Sequence, residues 1–76
     1  MDIIYKGEIL KYIADFHGEP VLWITRPEQI NMEHMQFVGG YPNEYCIFLS
    51  NLSEEDKAEI LGQIHSRWWE NEVIYV

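Results

Sequence analysis

Glu8-Ile9-Leu10-Lys11-Tyr12-Ile13-Ala14-Asp15-Phe16-His17-Gly18-Glu19-Pro20-Val21-Leu22-Trp23-Ile24-Thr25 is the stretch on which the fold turns. Its first half satisfies two periodicities. Ile9, Ile13 and Phe16 fall at helical spacing. Leu10, Tyr12, Ala14 and Phe16 fall at strand spacing, opposite Lys11 and Asp15. The second half favours the strand. His17-Gly18-Glu19-Pro20 offers a tight connection, and residues 21–25 are β-branched and aromatic, which is strand composition. The expected arrangement is a hairpin, 8–16 against 20–25. The competing reading is a helix over 8–16 closed by Gly18.

Working outward from the hairpin, Ile3, Ile4 and Tyr5 predict a short strand over 2–5, with Gly7 as a turn or bulge. Downstream, Pro27 suits the first position of a helix, with Thr25 or Arg26 just before it. A short helix over 27–35 follows, although Ile30, Met32 and Met35 have poor periodicity. Gly39-Gly40-Tyr41-Pro42-Asn43 is the clearest break in the chain. Five residues are too few for a domain boundary, so this is a loop inside one fold. Tyr45-Cys46-Ile47-Phe48-Leu49 is apolar on both faces. That pattern fits a central strand covered on both sides, or one covered on one side and offered to a partner on the other.

The best-defined element begins at Ser53, an N-cap with Asp56 three residues on, an acidic variant of the capping box. Glu54 and Glu55 complement the positive helix N-terminus. The helix is expected over 54–69. Ile60, Leu61, Ile64 and Trp68 form its apolar stripe, with the Lys57 stem lying alongside. Glu55, Asp56, Glu59 and Glu70 project to the other side. Glu70-Asn71-Glu72 interrupts the helix, and residues 73–76 read as a paired final strand. Residues 44–49 and 73–76 around the helix fit a right-handed parallel crossover or an antiparallel placement. The predicted fold class is therefore α+β, a single compact domain over 1–76. A small, mostly antiparallel sheet of four or five strands carries one long helix of the C-terminal half on one face.

Thirteen acidic residues against five Lys and Arg give a net charge of −8 over 76 residues. Residues 27–76 hold nine of the acids against only Lys57 and Arg67, a net of −7, which leaves −1 for residues 1–26. Such a field repels nucleic-acid phosphates and anionic lipid, and it attracts basic surfaces. Hydrophobic residues at 47 % fit a packed globule rather than a disordered acidic tail. A lone cysteine excludes an internal disulfide. Without a cationic apolar leader or an apolar run near 20 residues, a cytoplasmic protein with no membrane span is expected.

No P-loop, GxGxxG, GxSxG or HExxH pattern occurs. His17, His34, His65 and Cys46 form neither an HxxxH nor a CxxC pair, so no metal or cofactor is expected. Cys46 in an apolar run reads as a small buried hydrophobe. Three features remain as candidate sites. Ala58, Gly62, His65 and Trp69 line a second stripe of the helix, a shallow channel ending in an indole suited to anchoring a partner. The competing role for Trp68 and Trp69 is to clamp the helix onto the sheet. Glu55, Glu59, Glu70 and Glu72 present spaced carboxylates to a basic groove, or else form a solvated helix face. The aromatic residues, among them Trp23, Tyr41 and Tyr45, are placed to line a pocket for a planar ligand, or serve as core packing.

The expected function is a small acidic, non-catalytic interaction protein. It binds a basic surface of a larger protein and inhibits or regulates it by occupying a site otherwise open to nucleic acid. Virally encoded inhibitors of host nucleases or defence systems, which act as nucleic-acid mimics, are an analogy of size and charge only. Glu55, Glu59, Trp69, Glu70 and Glu72 carry that reading. It involves no direct nucleic-acid contact. The alternative is a homo-oligomer that binds a small ligand in an aromatic pocket at Trp23, Tyr41 and Tyr45. No constellation of residues supports an enzyme.

Overall fold

The computed structural model describes residues 1–39 and 44–67. The first five residues and the hairpin behave as their alternation predicts. β1 (Asp2–Tyr5), β2 (Glu8–Phe16) and β3 (Glu19–Trp23) form an antiparallel meander. The helical alternative for 8–16 is excluded. Both connections are two-residue turns, Lys6-Gly7 and His17-Gly18. Each carries two positive φ values, 53° and 79° in the first and 53° and 88° in the second. This left-handed geometry matches the right-handed twist of the flanking strands, and glycine adopts it without steric cost.

A bulge interrupts the second hairpin. Ile13 pairs with Val21 and Phe16 with Glu19, so Ala14 and Asp15 together oppose Pro20. Proline has no N–H for the ladder, which makes this the least costly place to break register. Asp15 Oδ1 also accepts a hydrogen bond from Gly18 N at 2.7 Å, closing the turn beside the bulge.

β4 (Gln36–Phe37) and β5 (Tyr45–Phe48) complete an antiparallel sheet of order β1-β2-β3-β5-β4. The α+β class and the mostly antiparallel sheet agree with expectation. The fifth strand does not: it lies at Gln36–Phe37, where nothing was expected. The predicted strand over 73–76, and with it the parallel crossover, falls outside the described residues. The helix predicted over 27–35 is a single 3₁₀ turn, Pro27–Asn31, with Arg26 as N-cap. Among the described residues no helix is long and apolar enough to cross a membrane.

Register assigns every strand residue to a face. Ile3, Leu10, Leu22 and Ile47 point inward and are fully buried together with Ile60, while Tyr5, Leu49 and Leu52 close the same cluster. Val21 and Cys46 are equally buried but face outward, opposite Phe48 and Trp23 on neighbouring strands. The bulge turns Phe16 to that outer side as well. Its ring lies 5.2 Å from that of Trp23 and 6.1 Å from that of Phe48. β5 is thus apolar on both faces because a helix-covered core lies on one and an aromatic cluster on the other.

The helix α1 (Glu54–Ser66) is capped as its sequence predicts, with Ser53 Oγ accepting from Asp56 N at 3.2 Å. Of the expected stripe, Ile60 is fully buried and Ile64 half-buried, but Leu61 is 42 % exposed. Trp68 lies outside the described residues. The buried face is rotated toward Asp56 and Gln63 by roughly 50° at ~100° per residue. Asp56 therefore faces β1 instead of solvent, and Tyr5 Oη donates to its Oδ2 at 3.2 Å. Burial first, and the Asp56 carboxylate second, push the Tyr5 hydroxyl up to about 12, so it stays a donor.

The rotated face of the helix lies along the outer edge of β1, which pairs with no other strand among the described residues. Gln63 Nε2 donates to Ile4 O at 2.7 Å, and Gln63 Oε1 accepts from Ile4 N at 2.9 Å. One side-chain amide thereby imitates the next strand. Arg67 donates to Asp2 O, two residues along the same edge, at 2.7 Å. Covering an open strand edge in this way also blocks edge-to-edge aggregation.

Candidate functional site

The rotation of α1 decides what its far side presents. Ile60 points into the core, so residues about half a turn away point to solvent. Glu55, Ala58, Glu59, Gly62 and His65 are all exposed. Glu55 and Glu59 are four residues apart, one turn along the same face. Neither has an ion partner among the described residues, and neither carboxylate is tied to a backbone group. Glu54, beside them, is held by Lys57 Nζ at 3.0 Å. The first two turns of α1 thus offer, among the described residues, two unpaired carboxylates at Glu55 and Glu59 and one at Glu54 neutralised by a neighbour.

The stripe of small residues lies opposite the core, not beside it as expected. A Cβ built on Gly62 meets nothing within 4 Å. The protein's own sheet does not approach the helix here, so internal packing gives no reason for a glycine in the helix interior. Gly62→Ala is expected to stabilise the protein by up to about 1 kcal/mol, since glycine is that much the poorer helix former. A rise of several degrees in Tm, read by circular dichroism, checks this.

The remaining predicted residues divide. Trp69, Glu70 and Glu72 lie outside the described residues, as does Tyr41. Trp23 and Tyr45 are described but lie on opposite faces of the sheet. Trp23 pairs with Cys46 on the outer face, so the adjacent Tyr45 points inward, where its ring lies 5.2 Å from that of Phe37. No single pocket can use both. The partner of Tyr45, Phe37, was not found by sequence reasoning because β4 is only two residues long.

The titratable groups that invite chemistry are dispersed. His17 and His34 sit in positive-φ turns, and His65 sits on the exposed side of α1. Cys46 is buried within β5, and burial pushes its thiol up to about 11. A thiol in that state is a poor nucleophile at neutral pH. Among the described residues no group of three His, Cys, Asp or Glu side chains is placed to hold a metal ion.

Comparison with known proteins gives no family model, no curated protein and no solved structure that matches this chain.

Proposed function

We propose that the protein is a non-catalytic interaction module. It docks the solvent face of α1 on a basic surface of a larger protein and so inhibits or regulates it, competing there with nucleic acid. One observation carries the reading: Glu55 and Glu59 stand exposed on one helix face with no ion partner among the described residues, beside a backbone left bare at Ala58 and Gly62. Unpaired carboxylates keep their full field for steering a cationic partner. A bare stretch of helix lets that partner come close without displacing side chains. The chain's net charge of −8 adds a long-range attraction of the same sign.

The test is capture of partners from the source cell on immobilised protein at low and high salt, followed by binding kinetics of the recovered protein. Retention of a basic, nucleic-acid-binding protein that weakens with salt is expected. Charge reversal at both positions, Glu55→Lys with Glu59→Lys, is expected to slow its association about tenfold or more at low salt and to flatten the salt dependence. Dissociation changes much less. Association rates equal to those of the wild type would remove the helix face from the binding site.

A further inference from the structure

We propose that the outer face of the sheet, the one α1 does not cover, is where two copies of this chain meet. Ile4 and Ile9 are directly opposed across β1 and β2 on that face and stay 59 % and 53 % exposed. Ile13 adjoins them, and the half-buried cluster of Phe16, Trp23 and Phe48 continues the patch over β3 and β5. Contiguous apolar surface gathered on one uncovered sheet face is where a weak contact forms most readily.

Charge points to a second copy as the occupant. By register, the charged strand residues on this face are Asp2, Lys11 and Glu19. They sum to −1, whereas the whole chain carries −8. The unpaired Glu55 and Glu59 lie on the opposite layer. Two copies approaching through their helix sides would set like charges against each other. Approaching through the sheet, they meet across a face whose strand charges nearly cancel, with the carboxylate-rich helices turned outward. A basic partner gains nothing at this face. A chain this short, with no disulfide, also draws less stability from its own core than a larger domain does.

Size sets the strength. Four strands about 4.8 Å apart and five residues about 3.3 Å apart make a patch of about 19 Å by 16 Å. That footprint is about 300 Å² per copy, well below the about 800 Å² per partner of a standard interface and in the range of weak, transient contacts. The dimer is therefore weak and concentration-dependent. Its salt dependence is the reverse of that of a carboxylate-steered complex. Added salt screens the repulsion between two negative chains, so self-association tightens.

Sedimentation equilibrium on the full chain, from micromolar to millimolar concentration, tests this. The weight-average mass is expected to climb from 9.1 kDa toward twice that value, and to climb earlier in high salt. Ile9→Glu, checked for native circular dichroism, is expected to weaken the dimer at least about tenfold, since it puts a charge into the apolar contact of both copies. The variant with Glu55→Lys and Glu59→Lys is expected to dimerise at least as well as the wild type. This separates the proposal from the helix-face function, which those changes disable. A wild-type mass of 9.1 kDa at every concentration overturns the proposal. So does Ile9→Glu dimerising as the wild type does. Binding of a monomeric wild type, but not of Ile9→Glu, to uncharged phosphatidylcholine vesicles overturns it as well, by assigning the face to lipid.

Discussion

Replacing Gln29 with leucine is expected to lower the free energy of unfolding by about 2–4 kcal/mol, with the midpoint of urea denaturation falling accordingly. Gln29 is the only polar residue among the buried ones described, at 1 % exposure. Its amide is fully used. Oε1 accepts from Thr25 N at 2.7 Å, from Arg26 N at 3.1 Å and from Thr25 Oγ1 at 3.3 Å. Nε2 donates to Glu8 Oε1 at 3.1 Å and to Ile9 O at 2.9 Å. These bonds answer a specific need. β3 ends at Trp23, opposite Lys11, while β2 starts three residues earlier at Glu8. The carbonyl of Ile9 therefore has no strand opposite it, and Gln29 with Thr25 Oγ1 takes that place. Leucine fills the space but leaves two backbone N–H groups without their acceptor and that carbonyl with one donor fewer. A loss of this size is a large share of the roughly 5–15 kcal/mol that holds a domain together.

The same network gives stability a pH dependence. Hydrogen bonds from Gln29 first, and from Arg26 second, hold the Glu8 carboxyl below the usual carboxylate range. A carboxyl lowered in the folded state contributes stability that is present above its unfolded pKa. That contribution is lost as pH falls through the folded value. Glu8 is solvent-exposed enough that the effect is small. The Gln29→Leu variant loses the larger of the two causes, so its stability falls less between neutral and acid pH than that of the wild type.

What the chain states openly is what local chemistry controls. The meander from Asp2 to Trp23 is legible because alternation, β-branching and two Xaa-Gly turns all point the same way. β4 is illegible because two residues carry no periodicity, and their strand geometry comes from pairing with Tyr45 and Cys46. The 3₁₀ turn at Pro27–Asn31 is misread as the start of a longer helix because Gln29, rather than an apolar stripe, secures it. At the candidate site, the exposure of Glu55 and Glu59 is legible from the helical wheel, where they lie about 140° and about 100° from Ile60, on the side away from Leu61. The separation of Trp23 from Tyr45 is not. It depends on the register between β3 and β5, strands joined by a long connection, and a one-residue slip would exchange their faces.

The phase of α1 yields the second large effect, and it separates two neighbouring residues that the sequence treats alike. Ile60→Ala is expected to cost about 3 kcal/mol, within the usual range for deleting a buried aliphatic side chain. Ile60 is fully buried in the inner core cluster that also holds Ile3, Tyr5, Leu10 and Leu52, so its truncation removes apolar contact from the centre of the fold. Leu61→Ala is expected to cost less than about 1 kcal/mol, since Leu61 keeps 42 % of its surface in water. Apolar periodicity alone places both in one stripe and predicts similar losses. The difference arises because Gln63 and Asp56, which a hydropathy pattern assigns to solvent, hold β1 through hydrogen bonds and turn Leu61 outward. Chemical denaturation of the two single variants measures the contrast directly. Equal losses would mean that the helix sits on its hydrophobic stripe after all, with Gln63 off the β1 edge. The face bearing Glu55 and Glu59 would then be turned by the same angle, so the helix phase governs core stability and the orientation of the proposed binding surface together.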